Sequence, residues 1–313
     1  MSLSIGVDVG GTKVLAGVVN ESGEILKSIR VDTPKAGGSA VTESIAGVVK
    51  TLADEFSLKS AGIAVPGYVS SDRQRVLGIP NIKNWHEFNL RDEIYKLIKL
   101  ETIVENDANA AAWAEYRFGS AKGESHVIIL TIGTGLGGGI IIGGQLYRGA
   151  NGIGAEFGHM RVVPDGIPCG CGINGCFERY ASGSGMMLHL KKLIDENPTA
   201  SKNLLARANG SFENLLGKDV TEAAIAGDEI ARAALAITGK WIGAGIANLA
   251  SILDPSLVVI GGGVIEAGDL ILEPARVSME EFMPFRGQHP VPRIVGAKLL
   301  NDAGLVGVAD LAR

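Results

Sequence analysis

The feature that most restricts this chain is a unit that occurs twice. Residues Ile5 to Val19 (IGVDVGGTKVLAGVV) and Ile128 to Ile142 (IILTIGTGLGGGIII) each read as apolar strand, Gly/Thr turn, apolar strand. A second turn follows in both places, Asn20-Glu21-Ser22-Gly23 and Gly143-Gly144-Gln145, with room for a third strand. Further on, Ala61 to Gly67 and Leu257 to Gly263 are short apolar runs that end in tight turns. Each half therefore predicts a β-hairpin followed by a βαβ unit, a mixed sheet under helices. The expected fold class is α/β and two-lobed, with duplicated halves facing each other across a central cleft.

Between the strands, Val41 to Phe56, Ala108 to Phe118, Gly185 to Asn197 and Asp219 to Ile252 repeat apolar residues near a period of 3.6 and predict helices. Gly119-Ser120-Ala121-Lys122-Gly123 is the expected hinge. The expected domains are residues 1–118 with a C-terminal helix at about 300–313, and residues 119–299. The return of the tail to the first lobe follows from the general plan of such duplicated chains.

Composition closes off several function classes. With 313 residues, 46% of them hydrophobic, the chain is long enough for two cores. A formal net charge of -5 with scattered Lys and Arg argues against nucleic-acid partners, which need clustered cations. The longest apolar runs are interrupted by glycine or Lys240, so no membrane span is expected. Met1-Ser2-Leu3-Ser4 runs directly into a strand pattern with no leader, and three cysteines between Cys169 and Cys176 are no disulfide framework. The expected compartment is the cytoplasm.

Glycine, at 44 residues, clusters beside the strands. In Asp8-Val9-Gly10-Gly11-Thr12-Lys13, bare backbone N–H groups suit phosphate oxygens, Thr12 adds a hydroxyl, and Asp8 suits a hydrated Mg²⁺. A plain Gly-Gly hairpin explains that hexamer equally well until the second turn, with Thr134 and Gly135, is set beside it. Two such turns suit a polyphosphate held from two sides. A branched side chain at Gly135 is expected to obstruct the phosphate and leave a second substrate untouched. Gly261-Gly262-Gly263 after an apolar strand is either a nucleoside platform or an ordinary strand–turn–helix junction. Neither turn fits G-x-x-x-x-G-K-[ST], nor G-x-G-x-x-G entering a helix with an acidic residue about 20 positions on.

These segments, with Pro66-Gly67, Asn106-Asp107, Gly133-Thr134-Gly135 and the block from Glu156 to Glu178, resemble the ROK family of sugar kinases and repressors. The resemblance runs over nearly the whole chain. It implies an actin-like, hexokinase-like (duplicated ribonuclease H-like) fold and a kinase that uses ATP and Mg²⁺.

Within that block, His159, Cys169, Cys171 and Cys176 form His-x9-Cys-x-Cys-x4-Cys, one imidazole and three thiols in a short window with flexible glycines. That set suits tetrahedral Zn²⁺, and four protein ligands leave no open position, so the metal is expected to be structural. It would fix a loop presenting Glu156, His159 and Glu178 to sugar hydroxyls, with His159 using one ring nitrogen for each task.

Glu105-Asn106-Asp107 ends an apolar run and opens a helical pattern, so either Asn106 or Asp107 reads as a helix N-cap. The resemblance assigns Asp107 as the base for the sugar hydroxyl and Asn106 as a sugar ligand, and both readings can hold together. The expected substrate set is Gly67, Asn81, Asn106, Asp107, Glu156, His159 and Glu178. The expected phosphate and nucleotide set is Asp8, Gly10, Gly11, Thr12, Lys13, Thr134, Gly135, Gly261, Gly262 and Gly263. The stretch Pro80 to Trp85 resembles that of bacterial ROK glucokinases and favours glucose. N-acetylmannosamine, N-acetylglucosamine, mannose and fructose are the alternative sugars, and inorganic polyphosphate the alternative donor. A non-catalytic sugar-sensing regulator would need a DNA-binding domain before Ile5. The family resemblance also implies a homodimer or homotetramer. Trp85 and Trp113, near the sugar residues in sequence, are expected reporters of sugar binding.

Overall fold

In a computed structural model that describes residues 2–79 and 82–313, both expected strand–turn–strand units form. Ser4–Val9 (β1) pairs antiparallel with Lys13–Val19 (β2), Asp8 opposite Leu15, and Ile25–Asp32 (β3) completes the meander. Ser60–Val65 (β4) then adds parallel to β1. All six residues of β4 are buried, as befits a parallel strand covered on both faces. A small hairpin follows, Tyr68–Val69 (β5) with Val76–Gly78 (β6), before Glu101–Asn106 (β7) closes the sheet in the order β3-β2-β1-β4-β7. The second sheet repeats the scheme with Val127–Ile132 (β8), Leu136–Ile142 (β9), Gln145–Tyr147 (β10), Leu257–Gly261 (β11) and Arg293–Gly296 (β12). Its order is β10-β9-β8-β11-β12, the same meander extended by parallel strands.

The helices of the first part are Gly38–Ala53 (α1), Leu90–Ile98 (α2) and Asp107–Arg117 (α3). Glu178–Ala181 (α4), Gly183–Glu196 (α5), Lys202–Ala206 (α6), Gly217–Ile225 (α7), Glu229–Leu253 (α8) and Asp269–Phe282 (α9) follow, and Ala303–Leu311 (α10) ends the chain. The single helix expected over Asp219 to Ile252 is two. Gly227 adopts a left-handed φ of 101°, and Asp228 caps the next helix by accepting the Ala231 N–H at 2.9 Å. The apolar repeat runs across this break because both helices bury the same kind of face.

By length and composition α8 could cross a membrane, which the sequence reading had not anticipated. Here it is a core helix, packed on α9, α5 and α7 with 56% of its apolar window buried. A Cβ at Gly239 or Gly243 of α8 would press on the α9 backbone, so those glycines set how closely the two helices approach.

The chain forms two compact units, residues 1–129, 138–155 and 298–313 in unit 1, and residues 130–137 and 156–297 in unit 2. The Gly119–Gly123 segment, expected as a hinge, lies inside unit 1. It is pinned there by the buried Glu115, whose Oε2 accepts the Ser120 N–H at 2.8 Å and whose Oε1 accepts those of Lys298 and Leu299. Within unit 1, α10 lies on β1 and β4, where side chains at Gly6 and Gly62 would collide with the carbonyls of Leu305 and Val308.

Candidate active site

In unit 1 the β1–β2 turn is closed by Gly10 N–H donating to the Lys13 carbonyl at 2.8 Å. Thr33 steadies the turn from the side, its hydroxyl on the Gly10 carbonyl at 2.7 Å and its N–H on that of Thr12 at 3.1 Å. The Gly10 N–H is thus committed within the turn, and Gly11 and Thr12 form the exposed tip. Asp8, next to the end of β1, has its carboxyl pKa pushed up by burial and partly drawn back by the Lys13 ammonium. Among the described residues no hydrogen-bond donor reaches the Asp8 carboxylate. A sheltered carboxylate without donors fits the outer shell of a hydrated divalent cation.

At the carboxyl end of β7, Asn106 is the N-cap of α3: its Oδ1 accepts the Asn109 N–H at 3.0 Å, and its Nδ2 donates to the Gly67 carbonyl at 3.1 Å. Gly67 and Asn106, both of the expected substrate set, are therefore neighbours. Asp107 is the first residue of α3, with Oδ1 accepting the Ala108 N–H at 2.8 Å. Asn106 thus supplies the N-cap, and Asp107 adds a first-turn carboxylate beside it. Asn81, the remaining member from this part of the chain, lies outside the described residues.

In unit 2 the β8–β9 turn is closed by Gly133 N–H donating to the Gly135 carbonyl at 3.0 Å. Gly183 and Ser184, opening α5, donate to the carbonyls of Gly133 and Thr134 at 2.8 and 3.2 Å. Thr134, Gly183, Gly217 and Gly263 line a cavity of about 710 Å³. Gly262, just after β11, has φ 88°, and a Cβ there would strike the Ile132 backbone, so only glycine fits. Gly261 is buried as the last residue of β11, and a Cβ on Gly263 would meet nothing within 4 Å where that residue lines the cavity.

The zinc-type cluster assembles beside this turn. One ligand atom from each of His159, Cys169, Cys171 and Cys176 lies within 4.8 Å of the others. Cys171 and Cys176 sulfurs are 3.5 Å apart, and Cys169 Sγ is 3.8 Å from His159 Nδ1. Two thiolates on a tetrahedral zinc, each at ~2.3 Å, stand ~3.8 Å apart, so the residues fit the ion. Burial pushes the Cys169 thiol up to about 12 and raises Cys176, whereas the backbone N–H of Ile173 lowers Cys171. Metal binding here would therefore release protons. Glu178, at the start of α4, accepts from Cys169 Sγ at 3.0 Å through Oε1. Its Oε2 stands 2.9 Å from where a Cβ on Gly135 would be. A branched residue at Gly135, expected to act on phosphate alone, would thus also press on the Glu178 carboxylate. Glu156, three residues before His159, has a pKa raised by burial, with His159 opposing the shift and Glu178 adding to it.

The model of the ROK family matches residues 4–313. The chain belongs to the ROK family. It is 45% identical over 313 residues to a glucokinase of Streptomyces coelicolor, covering 100% of this chain and 98% of that protein. A solved ROK family glucokinase from Streptomyces griseus, in complex with glucose and AMPPNP, is 45% identical and superposes with a TM-score of 0.90. That match covers 100% of this chain and 99% of the other. A ROK hexokinase from Thermus thermophilus is 31% identical with a TM-score of 0.79, covering 99% and 97%. The fold is accordingly that of the actin-like sugar kinases.

Within this ROK chain, sequence reasoning missed most of the cavity wall, including Arg179, Ser184, Met187, Lys218, Thr221 and Glu266. A partial signal was available in Gly183-Ser184-Gly185, a small-residue run opening a helix. Lys218 and Thr221, one helical turn apart on α7, have no local mark that separates them from an ordinary surface helix. The structure also places the tryptophans expected to report sugar binding. Trp85 is a core residue, and Trp113 donates its indole N–H to Asp310 at 2.8 Å. Trp241, which the sequence reading passed over, packs in a tilted arrangement against Tyr180 of α4, ring centroids 4.6 Å apart, two residues from Glu178.

Proposed function

We infer that this protein is an ATP-dependent glucokinase that transfers the γ-phosphoryl group of ATP to the 6-hydroxyl of glucose. The observation that carries this reading is the full-length 45% identity to glucokinases, one of them solved with glucose and AMPPNP. Asp107 accepts the proton of the 6-hydroxyl as that oxygen attacks phosphorus. Asn106 and Gly67 in unit 1, and Glu156, His159 and Glu178 in unit 2, bind sugar hydroxyls, which both donate and accept. His159 Nδ1 faces Cys169, so Nε2 is the nitrogen for the sugar. The unit 2 cavity takes the nucleoside, with Gly261, Gly262 and Gly263 as its platform. Thr134 and Gly135 in unit 2, and Gly11, Thr12 and Lys13 in unit 1, meet the phosphates. When bound, Mg²⁺ would neutralise phosphate charge, and Asp8 would hold its water shell. Zinc keeps the sugar loop in shape and takes no part in the transfer.

The test is a coupled assay of purified protein with glucose, mannose, fructose, N-acetylmannosamine and N-acetylglucosamine, each with ATP and with polyphosphate. Glucose with ATP should give the highest kcat/KM. Another hexose ahead by tenfold would remove the glucokinase reading and leave a ROK kinase of different specificity. We also propose a cytoplasmic homodimer or homotetramer, which the exposed Ile252, Phe282 and Phe285 of unit 2 support. Light scattering that gives the monomer mass of 32.5 kDa at micromolar concentration refutes the oligomer.

A further inference from the structure

The residue before the Asn106-Asp107 pair is a fully buried carboxylate. Glu105 has no exposed surface, and both of its oxygens are in use. Oε1 accepts the Asn106 N–H at 2.9 Å and the Asn109 side-chain amide at 3.3 Å. Oε2 accepts from Arg73 Nε at 2.9 Å and lies 2.8 Å from Arg148 Nε. The two guanidinium groups arrive from different loops, and each also ties its loop in place. Arg148 donates from its terminal nitrogens to the carbonyls of Ser71 and Ser70 at 2.7 and 3.0 Å. The Arg73 carbonyl accepts the Val104 N–H at 2.9 Å, inside β7 itself.

Arg73 holds a left-handed φ of 58°, a conformation unfavourable for any residue with a Cβ. Such strain persists where surrounding contacts require it, and it tends to gather at functional sites. Here it brings one of two cations onto one anion. A neutral glutamine would fill the same space as Glu105 but leave two positive charges facing each other without a counter-ion.

We propose that Glu105 is a positioning residue for Asp107. It fixes the Asn106 backbone through Oε1, while Arg73 and Arg148 fix Oε2, so the corner from which Asp107 projects is held from three directions. The Asn106 side chain, bonded to Asn109 N–H and the Gly67 carbonyl, completes the clamp. Glu105 touches no substrate and acts only through the geometry of its neighbour. The inference rests on Asp107 being the base.

The experiment is a double-mutant cycle on the full-length, zinc-loaded protein, with Glu105→Gln, Asp107→Asn and the pair, measured by single-turnover phosphoryl transfer and steady-state kinetics. Glu105→Gln should lower kcat by roughly 10- to 100-fold, the loss typical of a reacting group misplaced by about 1 Å. KM for ATP should stay within about twofold, since the nucleotide groups of unit 2 are unmoved, and KM for glucose should change less than kcat, its only affected ligands being Asn106 and Gly67. In the Asp107→Asn background the same change should cost less than about threefold, because the group being aimed is already absent. An equal loss in both backgrounds, or a raised KM with kcat kept, overturns the proposal. If Glu105→Gln does not fold, Arg148→Lys carries the cycle. It retains the charge but loses the two-pronged grip on Ser70 and Ser71, and its smaller kcat loss should likewise vanish in Asp107→Asn. Full kcat in Arg148→Lys overturns the proposal. A different failure is recognisable separately: if Asp107→Asn alone turns over at the wild-type rate, the base reading is wrong and Glu105 has nothing to aim.

Discussion

The β1–β2 turn of unit 1 and the β8–β9 turn of unit 2 are copies in sequence plan, closed by the same kind of short backbone bond across glycine and threonine. Their surroundings differ. The first turn stands beside Asp8, a sheltered carboxylate that no hydrogen-bond donor reaches among the described residues, and its exposed tip is braced from the side by Thr33. The second is built into its neighbours, receiving N–H groups from Gly183 and Ser184 and standing against Glu178, which in turn meets Cys169 of the zinc cluster. Duplication supplied two equivalent backbones. What each now does depends on the groups that came to surround it. On the proposed reading, unit 1 holds the groups for proton transfer and Mg²⁺, and unit 2 joins nucleotide contact to sugar contact through Glu178.

That contrast predicts different kinetic signatures in the two units. The largest effect belongs to Asp107→Asn. Loss of a general base typically costs ~10²–10⁴ in rate, so kcat should fall by that amount while glucose affinity, measured by calorimetry, stays close to wild type. Wild-type kcat in this variant would falsify the assignment of chemistry to unit 1, since Asn106 already caps the helix.

Next comes Cys176→Ser in unit 2, at the fully buried member of the cluster. Zinc content should fall from about one ion per chain toward none. The kcat/KM for glucose should drop roughly 10- to 100-fold or more, the scale on which lost metal support acts. Metal analysis that finds no zinc in fully active wild-type protein removes the site.

A pair of glycine substitutions sharpens the link through Glu178. Gly263→Val enters open space on the cavity wall, so KM for ATP should rise several-fold with glucose binding unchanged. Gly135→Val should raise KM for both substrates, because its Cβ would sit against Glu178. If both variants affect ATP alone, the second turn is as independent of the sugar loop as the first.

The smallest effect concerns Asp8. Its folded pKa lies above the ordinary 3.8 because burial penalises the charge. The protonated group therefore contributes stability below about pH 3.8, and that contribution is lost as pH rises through the folded pKa. Asp8→Asn, which does not titrate, should melt slightly higher than wild type at neutral pH without nucleotide or Mg²⁺, and the gap should close in acid. A gap that widens as pH falls contradicts this sign. The same variant should lose activity, because it gives up the Mg²⁺-side carboxylate.

Much of the candidate site was legible in the sequence because its information is local. A strand–turn–strand unit declares itself through alternation and glycine within about fifteen residues. His159, Cys169, Cys171 and Cys176 fall in one short window, and a loop that short can close around an ion with little help from the rest of the chain. A cap at Asn106 or Asp107 follows from their place between an apolar run and a helical repeat, and the bond from Asn109 N–H decides for Asn106. The break at Gly227-Asp228 was legible too, through a glycine and a capping aspartate, but the apolar period spans it and hides the signal.

What only the tertiary structure decided are the partners brought from far along the chain. Glu105 is an unremarked acidic residue at the end of a strand until Arg73 and Arg148 arrive on it from separate loops. Gly6 and Gly62 look like weak points in their strands until α10 settles on them, and no local rule distinguishes Glu115 from any exposed helix glutamate until Lys298 and Leu299 donate to it. Lys218 and Thr221 join a cavity only because α7 packs where it does. Sequence patterns report the preferences of neighbouring residues, which sterics and backbone hydrogen bonding set over a few positions. The burial of a charge and the meeting of its counter-ions depend on which elements share a core.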